Sequence, residues 1–372
     1  MSVNGAGALM KRSYVIAAVL LVAVVVIAVV AWAMLPTTDS SKTIKYTKVA
    51  PNMQADGIAQ GSIAGGVSWE PYASQAVLSG NAHVLYWSDE IWPDHPCCVI
   101  VASNSFLASN PDVVKSFLKA DYLANQWIAD AIAHPDSANY TLLLRMGAQF
   151  SNVNNTVVAS SLEHTKFTAD LSPSFIDGLK NYTNDFISLN QVTTATLNQR
   201  GYSSVDDFIS KYVDDSYLSA IDSVQPSTSG TLTNVNVGYL AGDLHQFARL
   251  VATNATVGGG TSLFQQYGIN AIASSAGGYA AGPSEMDAFA TGTVDIGYLG
   301  SPPAILKHLN NDIGVKIIAG ANTEGSALVV SNDIHSFADL NGKVIGDPGL
   351  GSIQHLLLQA IAEKNGYELV AA

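Results

Sequence analysis

"KVIGDPGLGSIQHLLLQAIAEKNGYELVAA", residues 343–372, is the stretch whose reading decides the fold. Residues 343–346 read as a short strand and 347–351 as a Gly/Pro turn. Residues 352–365 follow as a helix with an apolar face of Ile353, Leu356, Leu357, Ala360 and Ile361. Gly366 ends that helix where a second parallel strand should follow, and only 368–372 remain. At the other end of the chain, residues 43–49, "TIKYTKV", alternate as a strand with no partner before them. Joined end to start, "EKNGYELVAA" running into "KTIKYTKVAPNM" makes a complete βαβ unit. The expectation is a circular permutation.

Between the termini the chain is long enough for two lobes, and its charged fraction of 13% suits a well-packed globular protein. A net charge of −13 and a pI near 4.8 argue against nucleic acid and anionic membrane surfaces as partners. An anionic solute gains no long-range attraction from that charge, so local dipoles would have to capture it. Lys11-Arg12 precede residues 15–35, a run of 21 uncharged residues. At about 1.5 Å per residue such a helix crosses a hydrocarbon core of about 30 Å, and the basic pair places the rest of the chain outside the cytoplasm. The expectation is an uncleaved membrane anchor with a short polar tether, together residues 1–42. A signal peptide cut near Ala31-Trp32-Ala33 is the rival reading. No Cys follows the segment, which excludes a lipid-modified N-terminal cysteine. The only cysteines, Cys97 and Cys98, are adjacent and read as small strand residues, one facing each side. They show no metal-ligand spacing, and no cofactor is expected.

Residues 43–92 alternate strand and helix: strands at 43–49, 65–68 and 83–87, helices at 53–60 and 73–78. Residues 99–102 form a strand, after which the chain to 221 is mainly helical. Asn110 and Pro111 open the first of these helices, with Val113, Val114, Phe117, Leu118, Leu123, Trp127 and Ile128 on its buried face. Residues 222–231, "DSVQPSTSGT", are a linker. Beyond it the alternation resumes, with strands at 235–240, 270–273, 294–298, 315–319 and 327–330 and helices at 244–256, 286–291 and 303–309. Strands alternating with helices imply two open, mostly parallel α/β sheets with a cleft between them.

The restart after the linker carries a pattern: "VNVGYLAGDLHQFARLVA", "GGYAAGPSEMDAFATGTVDIGYLGSPPAIL", "VKIIAGANTEGSALVV" and "SFADLNGKVIGDPGLGSIQHLLLQAI". It resembles the N-terminal half of an ABC-transporter substrate-binding protein of the nitrate/sulfonate/taurine (NMT1/THI5-like) family. "VAPNMQADGIAQGSIAGGVSWEPYASQAVLSG" and "IWPDHPCCVIVASNSFLASNPDVVKSFLKA" resemble its later half, so nearly all of residues 43–372 is covered in swapped order. The resemblance implies an α/β, type II periplasmic-binding-protein fold. One lobe would be continuous over 93–332 and the other split between 43–92 and 333–372. The rival to a true permutation is a misjoining of two neighbouring genes.

In such sheets a ligand lies beyond the carboxyl ends of the strands, where helix N-termini offer free N–H groups. Four turns qualify. At 241–245, Asp243 caps a helix and His245 is a donor to a ligand oxygen. At 300–303, Gly300 and Ser301 open the next helix. At 322–326, Thr323 and Ser326 sit near the crossover between lobes. At 349–352, Gly351 permits close backbone approach and Ser352 caps a helix or binds an anion. Opposite the last turn, Trp69 would close over the solute, while Glu70 holds a backbone N–H or faces a cationic ligand. His95 marks the return crossover as a ligand or a hinge hydrogen-bonder.

The implied function is solute capture without covalent chemistry, outside the cytoplasm and anchored to the membrane. The partners would be a small anion such as nitrate, a sulfonate or taurine and an ABC permease with its ATPase. The alternative is a membrane-anchored solute sensor or scaffold that kept the fold without transport. An enzymatic reading has little support, since no nucleophile–base pair is recognisable in the sequence.

Overall fold

The expected strand at 43–49 is β1 (Thr43–Lys48), and it runs parallel to two strands from the far end of the chain. The others, in chain order, are β2 (Gly65–Trp69), β3 (Ala82–Trp87), β4 (Cys98–Ser103), β5 (Thr165–Phe167), β6 (Thr233–Tyr239) and β7 (Ile269–Ala273). They are followed by β8 (Ile296–Gly300), β9 (Val315–Gly320), β10 (Asn322–Glu324), β11 (Ser326–Ser331), β12 (Val344–Asp347) and β13 (Glu368–Ala371). The computed structural model describes residues 42–372, so the expected membrane anchor lies outside the described residues. Among the described residues no helix is long and apolar enough to cross a membrane.

Two large sheets carry the fold: β7-β6-β8-β4-β9, and β13-β1-β12-β2-β11-β3. In the first, β6 runs parallel to β7 and β8, while β4 is antiparallel to β8 and β9. In the second, β12 runs parallel to β1 and β2, while β11 is antiparallel to β2 and β3. Without β13 the two orders are equivalent, with β1 in the place of β7 and β11 in the place of β4. The antiparallel strands are the apolar centres. All of β4 is buried, as is β11 up to its last residue, because each lies between two neighbours with both faces covered. Such runs read in sequence as continuous Val, Ile and Leu rather than as alternation.

Three expectations are corrected. Strand β11, assigned with 93–332, pairs with β2 and β3, so the chain changes sheets at 321–325 and not at 332. The helix expected at 244–256 is a 3-10 turn, Leu244–Gln246, followed by Phe247–Ala252. Asn254 Oδ1 takes the Thr256 N–H, and a Gly258–Gly260 turn replaces further helix. The end of the chain is also not left over: Glu368–Ala371 pair with Thr43–Tyr46 as an outermost parallel strand.

The two crossings between sheets are bonded to each other. Glu324 N–H donates to the His95 carbonyl at 3.2 Å, and Asn322 takes the Cys97 and Cys98 N–H groups on its backbone and side-chain oxygens at 3.1 and 2.9 Å. Lys166 adds ion pairs to Asp94 and Glu324 from β5, which pairs with β10 in a two-stranded sheet.

Candidate functional site

Parallel strands end in turns that lead into helices, and several of these turns face one another across the two sheets. They enclose a cavity of about 50 Å³. Three helix starts form much of its wall: Gly282 and Pro283 of the helix Gly282–Ala290, Gly300 and Pro303 at the helix Ser301–Asn311, and Ser352–Gln354 at the helix Ile353–Lys364. The first two come from the five-stranded sheet and the third from the six-stranded one. Helix N-termini carry unpaired N–H groups and about half a positive charge each. Pro302 and Pro303 remove two donors from the second helix, which therefore contributes mainly its dipole. Among the described residues no lysine or arginine lines the cavity.

Trp69, at the end of β2, closes the side toward a larger outer cleft of about 440 Å³. Its indole Nε1–H is buried and has no hydrogen-bond partner among the described residues. The 347–352 turn is rigidly placed. Asp347 Oδ1 takes the Gly349 N–H at 2.6 Å, Asp347 Oδ2 meets His355 Nδ1 at 2.8 Å, and Ser352 Oγ caps the helix by accepting from His355 N at 3.1 Å. Gly349 and Gly351 have φ of 110° and 81°, which is why glycines stand there.

The floor is made by Cys97, Cys98, Asp243 and His245, all fully buried. Cys97 Sγ lies 3.1 Å from His245 Nδ1, and Cys98 Sγ lies 3.8 Å from Asp243 Oδ2. His245 Nε2 donates to the Gly325 carbonyl at 2.8 Å. That oxygen can only accept, so Nε2 carries a hydrogen and Nδ1 faces the sulfurs. A Cβ at Gly325 would collide with the ring, so glycine permits this contact. Asp243 Oδ1 caps the 3-10 turn by accepting from His245 N at 2.9 Å, and its Oδ2 accepts from Gln246 Nε2 at 3.0 Å.

Burial alone would raise the Cys97 thiol; the Cys98 hydrogen bond and the His245 charge overcome it and lower the thiol to about 6. Burial pulls His245 the other way, and the negative Cys97 and Asp243 outweigh it and push the imidazole up to about 10. Each charge favours the other, which draws the pair toward thiolate and imidazolium. Cys98 is pushed well up by its bond to Cys97 and by burial, and Asp243 is raised by burial.

Of the residues anticipated from sequence, Trp69, Asp243, His245, Gly300 and Ser352 line this cavity. The others lie behind it. Glu70 is fully buried and accepts from Ser74 N, Ser74 Oγ and Ser161 Oγ at 3.0, 2.8 and 3.2 Å, tying its helix turn across to the segment 155–162. His95 contacts Tyr182 Oη at 3.2 Å and acts within the crossing. Thr323 bridges to Pro96 in the same crossing. Ser326 Oγ accepts from Gln354 Nε2 at 2.9 Å, so it steadies a cavity residue without lining the cavity. Ser301 is fully buried, its N–H donating to the Cys97 carbonyl at 2.8 Å while its hydroxyl has no partner. Gly351 faces Leu306 of the helix Ser301–Asn311.

The cysteine expectation is overturned. Both sulfurs face the cavity floor, because Cys97 precedes β4 and strand alternation does not extend across the pair. Sequence reasoning also missed Gly282-Pro283 and Gln354. The Gly-Pro helix start in "AAGPSEMD" was the available signal for the first.

Residues 11–142 match the model of the NMT1-like family, and residues 277–370 match the model described as NMT1/THI5 like. Neither model alone spans half of the chain. No curated protein and no solved structure matches it.

Proposed function

We propose that this chain is the extracytoplasmic solute-binding component of an ABC importer. The matches at 11–142 and 277–370 support a solute-binding family of such importers, and the mixed α/β architecture suits a periplasmic-binding-type fold. The solute proposed is a small anion such as nitrate, a sulfonate or taurine. The observation that carries this is the meeting of three helix N-termini, drawn from both sheets, on one small cavity. Water needs about 10–15 Å³ of such volume, so about 50 Å³ suits a compact solute rather than a nucleotide. Partial charges and the Trp69 indole stand in for the arginine clamp that the wall lacks.

In this reading the solute is held without covalent chemistry. Contacts with both lobes favour the closed arrangement, which then docks on the permease with its ATPase. The uncharged run 15–35 would anchor the protein beside that permease. A circular permutation accounts for β1 lying beside β12 where β7 lies beside β6, with the later-half family pattern preceding the earlier one in the chain.

The test is a thermal-shift screen of the full chain against nitrate, sulfonates, taurine, bicarbonate, amino acids and pyrimidines. A solute at a hundred times its Kd adds about 2.7 kcal/mol to stability. A hit among the anions supports the reading. A hit confined to cationic or neutral solutes removes the anion assignment.

A further inference from the structure

We propose that Cys97, Cys98 and His245, with Asp243 beside them, form a binding site for one thiophilic divalent cation of the zinc class at the floor of the cleft. One ligand atom from each of Cys97, Cys98 and His245 lies within 4.8 Å of the other two, and all three residues are buried. In a tetrahedral zinc site with bonds of about 2.3 Å to sulfur and about 2.0–2.1 Å to nitrogen or oxygen, S···N and S···O separations are about 3.6 Å. The Cys97–His245 and Cys98–Asp243 separations, 3.1 and 3.8 Å, bracket that value.

The supporting contacts are those of a metal-ready histidine. Its Nε2–H is fixed on the Gly325 carbonyl, which leaves Nδ1 as the coordinating nitrogen and sets the plane of the ring. Asp243 is oriented by Gln246 Nε2 and the His245 N–H. Two sulfurs with one imidazole select a soft or borderline cation over magnesium or calcium. The Cys98 thiol proton and the one shared by Cys97 Sγ and His245 Nδ1 leave to solvent as the ion enters, while Nε2–H stays on the Gly325 carbonyl.

The site also answers a deficit in the wall. The cavity has a carboxylate and two thiols on its floor and no lysine or arginine among the described residues of its wall, and its one basic side chain, His245, is engaged by Cys97. A divalent ion there offsets the two thiolates that hold it and presents a cationic centre to a donor atom of the solute. This consequence rests on the solute-binding reading, whereas the ion site itself stands on the ligand geometry.

The experiment uses the reduced full chain, with Zn2+ in competition with a chromophoric chelator and Co2+ as a spectroscopic probe. One Zn2+ per chain is expected, with a thiolate-to-Co2+ charge-transfer band in the near ultraviolet. Cys97→Ser and Cys98→Ser should each shrink that band and weaken Zn2+ by more than the roughly 10–100-fold typical of a change in a supporting residue. The spectrum of the unmodified chain is informative even if a variant fails to fold. Absence of Zn2+ binding, or binding that both serine variants retain at full strength, overturns the proposal. Running the solute screen on chelator-treated and zinc-loaded protein separates the two ideas. A solute hit without zinc binding removes the metal site alone, and zinc binding without a solute hit removes the solute reading alone.

Discussion

In the five-stranded sheet, β6 is flanked by β7, the next strand along the chain; in the six-stranded sheet, β12 is flanked by β1, from the other end of the described chain. The two arrangements are otherwise alike, with an antiparallel strand in the same place and helix starts opening on the same cleft. The order of strands is therefore specified by burial and pairing, and connectivity is secondary. Closing a longer loop costs only about 0.6 kcal/mol per doubling, which is small against a paired, buried strand. The contributions to the cleft differ. The five-stranded side supplies the titratable floor and two helix starts, and the six-stranded side supplies a glycine turn and the Trp69 wall.

The largest expected effect comes from the two equivalent antiparallel strands. Ile100 of β4 and Leu328 of β11 are both fully buried, and Ile100→Ala and Leu328→Ala should each cost about 2–5 kcal/mol in urea unfolding. Both should shift one shared transition. If Leu328→Ala splits the curve while Ile100→Ala does not, the sheets are independent and the likeness between them is only formal.

Both sides bury carboxyl groups, Asp121 on one and Glu70 on the other. On the five-stranded side, Asp121 is fully buried, accepts from Tyr298 Oη at 2.6 Å and is pushed up by burial to about 7. The folded chain thus holds a proton that the unfolded chain releases near pH 4. Stability from this group is complete below about pH 4 and is lost as pH rises through 7. Asp121→Asn should flatten that decline, by a few kcal/mol on the order of the shift. An unchanged pH profile by thermal melting would show that Asp121 ionises in place.

The smallest effect concerns β13, which lies outside the shared order and buries no residue fully. Removing residues 368–372 should cost only about 1–2 kcal/mol, as a few edge hydrogen bonds, and leave unfolding cooperative. Loss of the cooperative melt would make β13 part of the core architecture.

Much of the fold was legible because local signals agree. Pro111 and Asn110 mark a helix start, "SSKTIKYTKV" contains an alternating strand, and Ile353, Leu356, Leu357 and Ile361 of the expected apolar face are buried, while Ala360 is exposed. The site was legible where a residue ends its strand or lies in the turn after it, as Trp69, Gly300, Asp243 and Ser352 do. Asp243 and His245 of its floor were anticipated, but the two cysteines they meet were not. Cys97 and His245 are 148 residues apart, and their contact depends on how two loops from different strands pack. Thr323 and Ser326 read as ligand donors because their chemistry suits the role, but hydrogen bonds within the crossing and from Gln354 engage that segment first.

The central claim is that solute is held where the two sheets close on one cavity, and Gly300 tests it most directly. Its φ of −58° is ordinary, so glycine is not needed there for the backbone. A Cβ would stand 3.3 Å from Cδ1 of Ile353, in the helix that follows β12 of the other sheet, which makes Gly300 a point of close approach between lobes. Calorimetric titration of the full chain and of Gly300→Val with the proposed anions is the measurement. The account predicts one saturable site per chain that Gly300→Val, still folded with a cooperative melt, weakens at least about tenfold, or about 1.4 kcal/mol. Equal affinity in the two proteins would contradict it.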